Sequence, residues 1–174
     1  MEGFRAPVMM LTLPWANGFR GGQVSSIDAE FWNGGAASAA QIDYLFARYR
    51  SPYVGKGALI AHLAVSESIN PLILLAIIQE NSRFGNAPGL KPENIANPFA
   101  IHFNEDAKGI RKLRLRNGQM ATFEQSLAEA IRLLKLCRNS PTPLHEAARY
   151  FAGEGQFTWA LRISRFYALQ KQRL

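Results

Sequence analysis

Hydrophobic residues recur at intervals of three and four along most of the chain after residue 37. That spacing places them on one face of an α-helix and leaves the other faces polar. Ser38 is a suitable N-cap for a first helix, and a second helix is predicted over about residues 56–67. Three more helices are predicted over about residues 123–137, 143–151 and 157–170. The pattern therefore predicts a predominantly helical protein.

The helix predicted to begin at Pro71 has a different pattern, because it is apolar on almost every side. An Asn-Pro pair provides a good start signal, since Asn caps a helix and Pro is tolerated in its first turn. Seven consecutive apolar residues then occupy positions 72–78, and Gln79 and Glu80 follow them. A helix that is apolar around most of its circumference is buried. We therefore expect a central helix that ends at about residue 83.

A strand-like alternation interrupts the helices between residues 100 and 123. Residues 112–116 alternate between basic and apolar side chains, and Asn117-Gly118 is a strong signal for a tight hairpin turn. Residues 119–123 would form the returning strand, and residues 100–103 a further short strand. The expected fold class is α+β, predominantly α, with a buried helix and a small antiparallel β-hairpin lobe.

The chain is predicted to contain one domain preceded by an arm. Residues 1–37 are rich in Gly, Asn, Ser and Pro, which favours an irregular N-terminal arm, or a short helix around residues 27–32, laid on the domain through its aromatic side chains. Residues 38–174 are enough for one domain with an ordinary core. The single cysteine, Cys137, excludes an intrachain disulfide and a Cys-rich metal site, and we expect it to pack in the core.

Several classes of protein are disfavoured by what the sequence lacks. No run approaches the ~20 apolar residues that a bilayer requires, so no transmembrane segment is expected, and no clear secretory signal is present. His62, His102 and His145 lie too far apart along the chain to suggest metal ligands. No phosphate-binding glycine loop or nucleophile elbow is found. We therefore expect no metal and no organic cofactor.

Positive charge is concentrated in the second part of the chain. Residues 1–106 hold seven Lys and Arg against nine Asp and Glu, a net of −2, whereas residues 107–174 hold thirteen against four, a net of +9. Such an excess favours a polyanionic partner: nucleic acid, an acidic membrane or an anionic cell wall. The predicted lobe carries a basic cluster that is either a solvated face or a binding site for anionic wall polymers or phosphates: Lys108, Arg111, Lys112, Arg114 and Arg116.

Glu80 is the residue whose position most needs an explanation. It follows the apolar run on a face shared with buried residues, at the negative end of the helix dipole. Desolvation and the dipole both favour the protonated form of such a carboxyl group. A carboxylic acid that is protonated near neutral pH can act as a general acid in glycosidic cleavage. The alternative is an ordinary helix-end glutamate that pairs with Arg83 at i+3.

The sequence around this glutamate resembles a known group of enzymes. The segment "INPLILLAIIQENSRFG" resembles the catalytic helix of lysozyme-like cell-wall glycosidases, and is closest to the glucosaminidase domains of glycoside hydrolase family 73 and the soluble lytic transglycosylases. Three further segments, "NIANPFAIHF", "TFEQSLAEAIRLL" and "ARYFAGEGQFTWALRISRFY", are similar to segments of those families and occur in the same order. The resemblance covers about residues 38–170. It implies a lysozyme-like fold.

The resemblance also implies roles for individual residues. Glu80 would be the catalytic acid, and Tyr150 would orient the substrate's N-acetyl group or stabilise charge, unless it is a core tyrosine. Four residues form the implied substrate-binding set: Gln79, Asn97, Phe99 and Ile101. Within it, Asn97 would hold either a sugar or its own loop, and Phe99 would stack on a sugar or pack in the core. For Gln79 a local hydrogen bond is the alternative.

A second carboxylate would decide the mechanism. An inverting hydrolase needs one about 6.5–9.5 Å from the acid, and a retaining enzyme needs a nucleophile about 5–5.5 Å away. Glu105 and Asp106 follow the first predicted strand and are candidates, although a solvated turn is the alternative. If neither reaches the site, Glu80 would act as acid and then base. The substrate's own N-acetyl group would then stabilise the sugar cation, as lytic transglycosylases are understood to do.

Three positions depart from the pattern of these families. Asn81 occupies the place of a small hydroxyl residue, and one extra residue precedes Gly85. Ala100 stands where the families have glycine, so the backbone there is expected to be more tightly packed.

The expected function is cleavage of the glycan strand of peptidoglycan, by an N-acetylglucosaminidase, a muramidase or a lytic transglycosylase. The partner would be peptidoglycan or a related N-acetylated glycan, and the protein would be a monomer outside the cell, in the wall or in the periplasm. One alternative is a catalytically silent glycan-binding or assembly module. Another is a basic nucleic-acid-binding protein, although no specific nucleic-acid module is found.

Overall fold

The computed structural model describes residues 27–33, 36–101, 104–105, 111–112, 121–152 and 156–174. A helical turn at residues 27–30 opens the described chain. The helices that follow are α1 (Ala39–Arg48), α2 (Gly57–Ser66), α3 (Pro71–Ser82), the short α4 (Pro92–Ile95), α5 (Phe123–Leu136), α6 (Pro143–Phe151) and α7 (Gln156–Lys171). The predicted helices are therefore confirmed. Within the described residues, no helix is both long and apolar enough to cross a membrane.

The central position of α3 follows directly from its sequence. Asn70 caps the helix by accepting a hydrogen bond from the backbone of Leu72 at 3.0 Å, and Pro71 occupies the first turn. Every residue from 71 to 78 is buried. Each fully buried Leu or Ile stabilises the fold by about 1.5–3 kcal/mol. The helix packs chiefly against α7 and also against α2, so its apolar faces are covered by other helices.

The turn at residues 27–33 is part of the same core. Ile27 and Phe31 are buried, and the Phe31 carbonyl accepts a hydrogen bond from the Asn70 backbone at 2.8 Å. The Asp28 carboxylate accepts a hydrogen bond from the Leu144 backbone at 3.0 Å, which satisfies a free N–H at the start of α6. Residues 27–33 are thus fixed to α3 and α6, and residues 27–30 form the short helix that the sequence offered as an alternative to an irregular arm.

The predicted β-hairpin lobe was wrong. Thr122 and Gln125 form a capping box that begins α5 at Phe123, so the end of the proposed returning strand is helical. The side chain of Phe123 is buried with the core face of that helix. The proposed turn at Asn117-Gly118 lies outside the described residues.

The described part of the chain contains one short strand pair in place of that lobe. Asn104–Glu105 (β1) pairs antiparallel with Arg111–Lys112 (β2), two residues each, with Asn104 opposite Lys112. A pair of this length is not a lobe. The α+β class is therefore corrected to a predominantly helical fold.

Candidate functional site

Glu80 lies in the last turn of α3, where the buried helix reaches the surface. Its side chain is 14% exposed, and its Oε1 atom accepts a hydrogen bond from Arg162 Nε of α7 at 2.5 Å. The Arg162 side chain is 48% exposed. The sequence anticipated a possible arginine partner at Arg83, but the partner comes from the other end of the chain. The site therefore presents a mostly buried carboxylate paired with a half-exposed guanidinium.

Asn81 ties this end of α3 to two other segments. Its amide nitrogen donates to the Phe99 carbonyl at 2.7 Å, and its amide oxygen accepts from the Trp159 indole at 3.3 Å. Trp159 itself is buried and stacks on Phe151 at the end of α6, with ring centroids 5.7 Å apart. A serine or threonine side chain is shorter and has no amide group. Asparagine at this position therefore links α3, α7 and the loop before residue 101.

The chain leaves α3 through three successive residues in the left-handed region. Arg83, Phe84 and Gly85 have φ values of +48°, +56° and +81°. This turn buries the Phe84 ring against Phe46, and the Phe84 carbonyl accepts a hydrogen bond from the Ser51 hydroxyl at 2.7 Å. The extra residue noted in the sequence is accommodated here, one turn beyond Glu80.

Only glycine fits at the end of that turn. A Cβ atom on Gly85 would lie 2.6 Å from the Cγ atom of Pro52. Position 85 therefore requires glycine both for its backbone conformation and for its close approach to a neighbour.

The loop at residues 97–101 is held by its own side chains. Asn97 is buried; its amide nitrogen donates to the Ile101 carbonyl at 2.7 Å, and its amide oxygen accepts from the Ile101 backbone at 3.1 Å. The Ser126 hydroxyl also donates to Asn97, at 2.6 Å. Phe99 is fully buried and Ile101 is 5% exposed. The side chain of Asn97 therefore stabilises its own loop through hydrogen bonds. Phe99 has no exposed face on which a sugar ring could stack.

Gln79 faces a different part of α7 from Glu80. Its side-chain oxygen accepts a hydrogen bond from the Gln170 amide at 3.0 Å. Gln170 is 1% exposed, and its own Oε1 atom has no hydrogen-bond partner among the described residues. The pair joins α3 to α7 and gives Gln79 the local hydrogen bond that the sequence offered as the alternative to substrate binding.

Tyr150 lies on α6, half-buried against the core. The Glu129 carboxylate raises the pKa of the Arg132 guanidinium on α5, and Tyr150 adds a smaller electrostatic contribution. The neighbouring residue Phe151 stacks on Trp159, whose indole donates to Asn81 beside Glu80. The described packing of Tyr150 is therefore against the core.

The other predicted site residues are placed less fully. Glu105 lies in β1, and Asp106 lies outside the described residues. Of the basic cluster on the predicted lobe, Arg111 and Lys112 form β2, and the other three members are outside the described ranges. Across the part of the chain that the structure covers, no three His, Cys, Asp or Glu side chains are grouped to hold a metal ion.

Cys137 is buried at the end of α5, and its thiol contacts the Leu133 carbonyl at 3.7 Å. Burial raises the pKa of this thiol to about 12, and the nearby Glu146 charge adds to the effect. Since the thiolate is the reactive form of cysteine, this side chain is inert near neutral pH.

Sequence reasoning found Glu80 but missed the two α7 residues beside it. Arg162 and Trp159 lie about eighty positions further along the chain, in a helix whose apolar pattern is unremarkable. A local signal for Trp159 does exist, since a buried tryptophan usually needs a partner for its N–H group. Which residue would supply that partner is decided only by the packing of α7 on α3.

Comparisons with known proteins return no match: no protein-family model fits the chain, and no curated protein or solved structure is significantly similar to it. The likeness to cell-wall glycosidases therefore stays a prediction from the sequence motifs.

Proposed function

We propose that this protein cleaves the glycan strand of peptidoglycan, with Glu80 as the general acid. The observation that carries the proposal is the position of Glu80, mostly buried at the surface end of a helix whose residues 71–78 are all buried. Carboxyl groups that are largely removed from water are suited to acid–base work on a glycosidic oxygen. The sequence motifs around α3 supply the substrate class.

The backbone around Glu80 gives a second line of support. Of the five described non-glycine residues in the left-handed region, three surround the site: Arg83 and Phe84 after α3, and Ala100 in the loop that Asn81 holds. The other two, Arg50 and Ser68, follow α1 and α2. Such conformations cost about 1–3 kcal/mol each and cluster at functional sites, where the surrounding structure maintains them. Their concentration here favours a functional role for this end of α3.

The proposed reaction uses one carboxyl group in two roles. Glu80 donates its proton to the glycosidic oxygen while the bond to the anomeric carbon breaks. The N-acetyl oxygen of the substrate stabilises the sugar cation. Glu80, now ionised, then takes a proton from the attacking group, which is water in a hydrolase or a hydroxyl of the same sugar in a lytic transglycosylase.

Arg162 must move for this cycle to begin. In the structure the Oε1 atom of Glu80 accepts a hydrogen bond from the Arg162 guanidinium. Because half of the Arg162 side chain is exposed, it can turn toward solvent without unpacking α7. Substrate that enters beside Glu80 would displace it and leave the carboxyl group free to take up a proton.

The same ion pair favours a second candidate, a catalytically silent glycan-binding module. A carboxylate held at 2.5 Å from a guanidinium can fix α7 on α3 without taking part in any reaction. In that case the protein would bind walls without cutting them, and Glu80 would contribute stability rather than chemistry.

Clearing of purified cell walls tests the proposal. The wild-type protein should lower the turbidity of a wall suspension, and Glu80→Gln should slow clearing about 10²–10⁴-fold, the usual contribution of a general acid. Glu129→Gln is the matched control, because Glu129 pairs with Arg132 at 2.7 Å on the surface of α5. It should clear walls at the wild-type rate.

Two outcomes would contradict the proposal, the first its enzymatic activity and the second the role of Glu80. Walls that stay turbid with wild-type protein from acidic to mildly alkaline pH, while the protein sediments with them, would identify the silent module. Equal clearing by Glu80→Gln and wild type would show that another residue supplies the acid.

A further inference from the structure

A group of exposed arginines surrounds Tyr49 at the end of α1. Arg48 and Arg50 flank it in the chain, Arg83 follows α3, and Arg173 lies near the end of the chain. All four are exposed. We call these four residues the arginine cluster.

Contacts around Tyr49 bring these segments together. Asn86 donates from its side chain to the Tyr49 carbonyl at 2.8 Å and from its backbone to the Arg83 carbonyl at 3.2 Å. Arg173 donates to the Tyr49 hydroxyl, and its guanidinium lies 5.9 Å from the centroid of that ring. Three separate segments therefore meet at one place, and each contributes at least one arginine.

No described carboxylate pairs with any member of the cluster, whereas three arginines on α5, α6 and α7 do have such partners. Arg132, Arg149 and Arg162 each lie within 3.1 Å of a glutamate oxygen. Neighbouring positive charges without counter-charges repel one another and create a positive potential that attracts anions. The side chains of Arg48, Arg50 and Arg83 have no described partner and are available to a ligand, while Arg173 contacts Tyr49.

We infer that the arginine cluster binds the phosphodiester groups of an anionic cell-wall polymer. All four cations are arginine, whose planar guanidinium binds phosphate oxygens through two parallel hydrogen bonds. A polymer with one phosphate per repeat supplies several such groups in succession. This inference rests on the proposed function for the identity of the polymer, because Arg83 follows Glu80 by three residues at the end of α3.

The position of Arg83, close to Glu80, suggests how polymer binding at the cluster would assist cleavage. A wall glycan strand carries its anionic polymer as a covalent branch, so a protein that holds the polymer also holds the strand. Binding at the cluster would keep the strand near Glu80 between cleavage events and would raise its local concentration there.

Binding to a soluble poly(glycerol phosphate) chain, followed by calorimetry, tests the inference. The triple variant Arg48→Gln, Arg50→Gln, Arg83→Gln should bind about tenfold more weakly or worse, and the slope of log affinity against log salt should fall by about two to three. The triple variant Arg132→Gln, Arg138→Gln, Arg149→Gln removes the same charge from α5, the turn after it and α6. It should bind like the wild type.

An arginine-to-lysine triple variant at positions 48, 50 and 83 separates geometry from charge. It keeps every positive charge and loses the two-pronged hydrogen bonding, so its affinity should fall between those of the wild type and the glutamine variant. The three side chains are exposed and lysine keeps their charge, so the lysine variant is expected to fold. It therefore still tests the inference if the glutamine variant fails to fold.

Several outcomes would overturn the inference. Equal losses in the two glutamine triple variants would mean that binding reflects net charge alone. Tighter binding to a single-stranded oligonucleotide of equal charge would identify nucleic acid as the partner. Equal affinity for hyaluronate, whose charges are carboxylates, would exclude recognition of phosphodiesters.

Failure of the inference can be distinguished from failure of the proposed function. If the wild type clears no walls but binds the phosphate polymer through the cluster, the enzyme proposal fails and the binding site stands. If walls stripped of their anionic polymer are cleared normally and none of the variants changes polymer binding, the enzyme stands and the site fails.

Discussion

Ala100 adopts a backbone conformation that glycine would adopt more easily. Its φ value is +52° and its side chain is exposed, in the loop whose Phe99 carbonyl accepts a hydrogen bond from Asn81. The left-handed conformation costs a residue with a Cβ atom about 1–2 kcal/mol. Glycine relieves that strain but loses about 0.4–1 kcal/mol through the greater freedom of the unfolded chain.

We predict that Ala100→Gly raises the free energy of unfolding by about 0.5–1 kcal/mol, since relief of strain exceeds the entropic loss. Urea denaturation measures the change. Ala96→Gly is the control, because Ala96 lies in the same loop region with an ordinary φ of −69°. There the substitution should destabilise by about 0.5–1 kcal/mol. Destabilisation by both substitutions would show that the left-handed conformation carries no strain.

At the level of single residues, the sequence identified Glu80, whose position is unusual within its own helix, but not the residue that pairs with it. Glu80 was identifiable because a charged side chain follows the apolar residues 72–78 in the same helix. That position also predicted that the Glu80 side chain would be partly buried. Its partner Arg162 was missed because residues 82 positions apart leave no joint pattern in one sequence. Phe99 illustrates the limit of residue type, since an aromatic side chain suits a sugar platform and a core equally well, and only its complete burial distinguishes them.

Among the secondary-structure elements, α3 depends on Asn81 for its connections. The Asn81 side chain donates to a buried carbonyl in the 97–101 loop and accepts from an indole on α7. The connection requires an amide, which offers one donor and one acceptor group on the same side chain.

We predict that Asn81→Asp destabilises the protein by about 1–3 kcal/mol. A carboxylate cannot donate to the Phe99 carbonyl, so a buried acceptor loses its partner. Asn86→Asp removes a comparable hydrogen bond to the Tyr49 carbonyl, at 2.8 Å, in an exposed position. That control should cost less than about 1 kcal/mol, because water can replace the donor. Equal losses in thermal or urea unfolding would contradict the bridging role.

The helices and the failed hairpin show which local patterns are reliable. The capping signals predicted at Ser38 and Asn70-Pro71 were informative, since both begin helices. The capping box of Thr122 with Gln125 also begins a helix, but the sequence predicted a strand over that stretch. The alternation at residues 112–116 is only five residues long, and an alternating run that short is weak support for a strand. The cap at Thr122 competes directly with a strand over residues 119–123, and in the structure the helix is formed.

For the whole molecule, a polar network fastens the turn at residues 27–33 to α7. The Glu30 carboxylate accepts hydrogen bonds from Lys171 at 2.7 Å and from the Tyr167 hydroxyl. The amide of Asn70 donates to the Glu30 carbonyl at 3.0 Å and to Tyr167 at 3.2 Å. Elements from both ends of the described chain therefore meet at the start of α3.

This network predicts a pH dependence of stability. The hydrogen bond from Lys171, then that from Tyr167, lowers the pKa of Glu30 below its ordinary value of 4.5, although burial opposes the shift. A carboxyl group with a lowered pKa in the folded state stabilises the fold above that ordinary value. The stabilisation is lost as the pH falls through the lowered pKa, since the unfolded state then binds more protons.

We predict that Lys171→Met removes part of this acid sensitivity. Because the Glu30 and Lys171 side chains are 37% and 54% exposed, solvent screening limits the effect to less than about 1 kcal/mol. The measurement is the free energy of unfolding from neutral to strongly acidic pH. Gln172→Met, on the next residue, should keep the wild-type profile. An unchanged profile in Lys171→Met would show that the ion pair does not contribute.

The assembly of the site is a property of the whole fold. Glu80 and Asn81 come from α3, Arg162 and Trp159 from α7, and the Phe99 carbonyl from the intervening loop. The sequence indicated each helix separately, because helices have a local period. Their packing partners depend on side-chain shape over long sequence distances, and no local pattern encodes that information.

The central claim is that Glu80 provides acid catalysis on peptidoglycan, and mass spectrometry of digested walls tests it most directly. Wild-type protein should release fragments with new glycan ends, reducing ends from a hydrolase or anhydro ends from a lytic transglycosylase. Under the same conditions Glu80→Gln should release none above background while still binding the walls. New glycan ends in equal amounts from both proteins, or none from the wild type, would contradict the account.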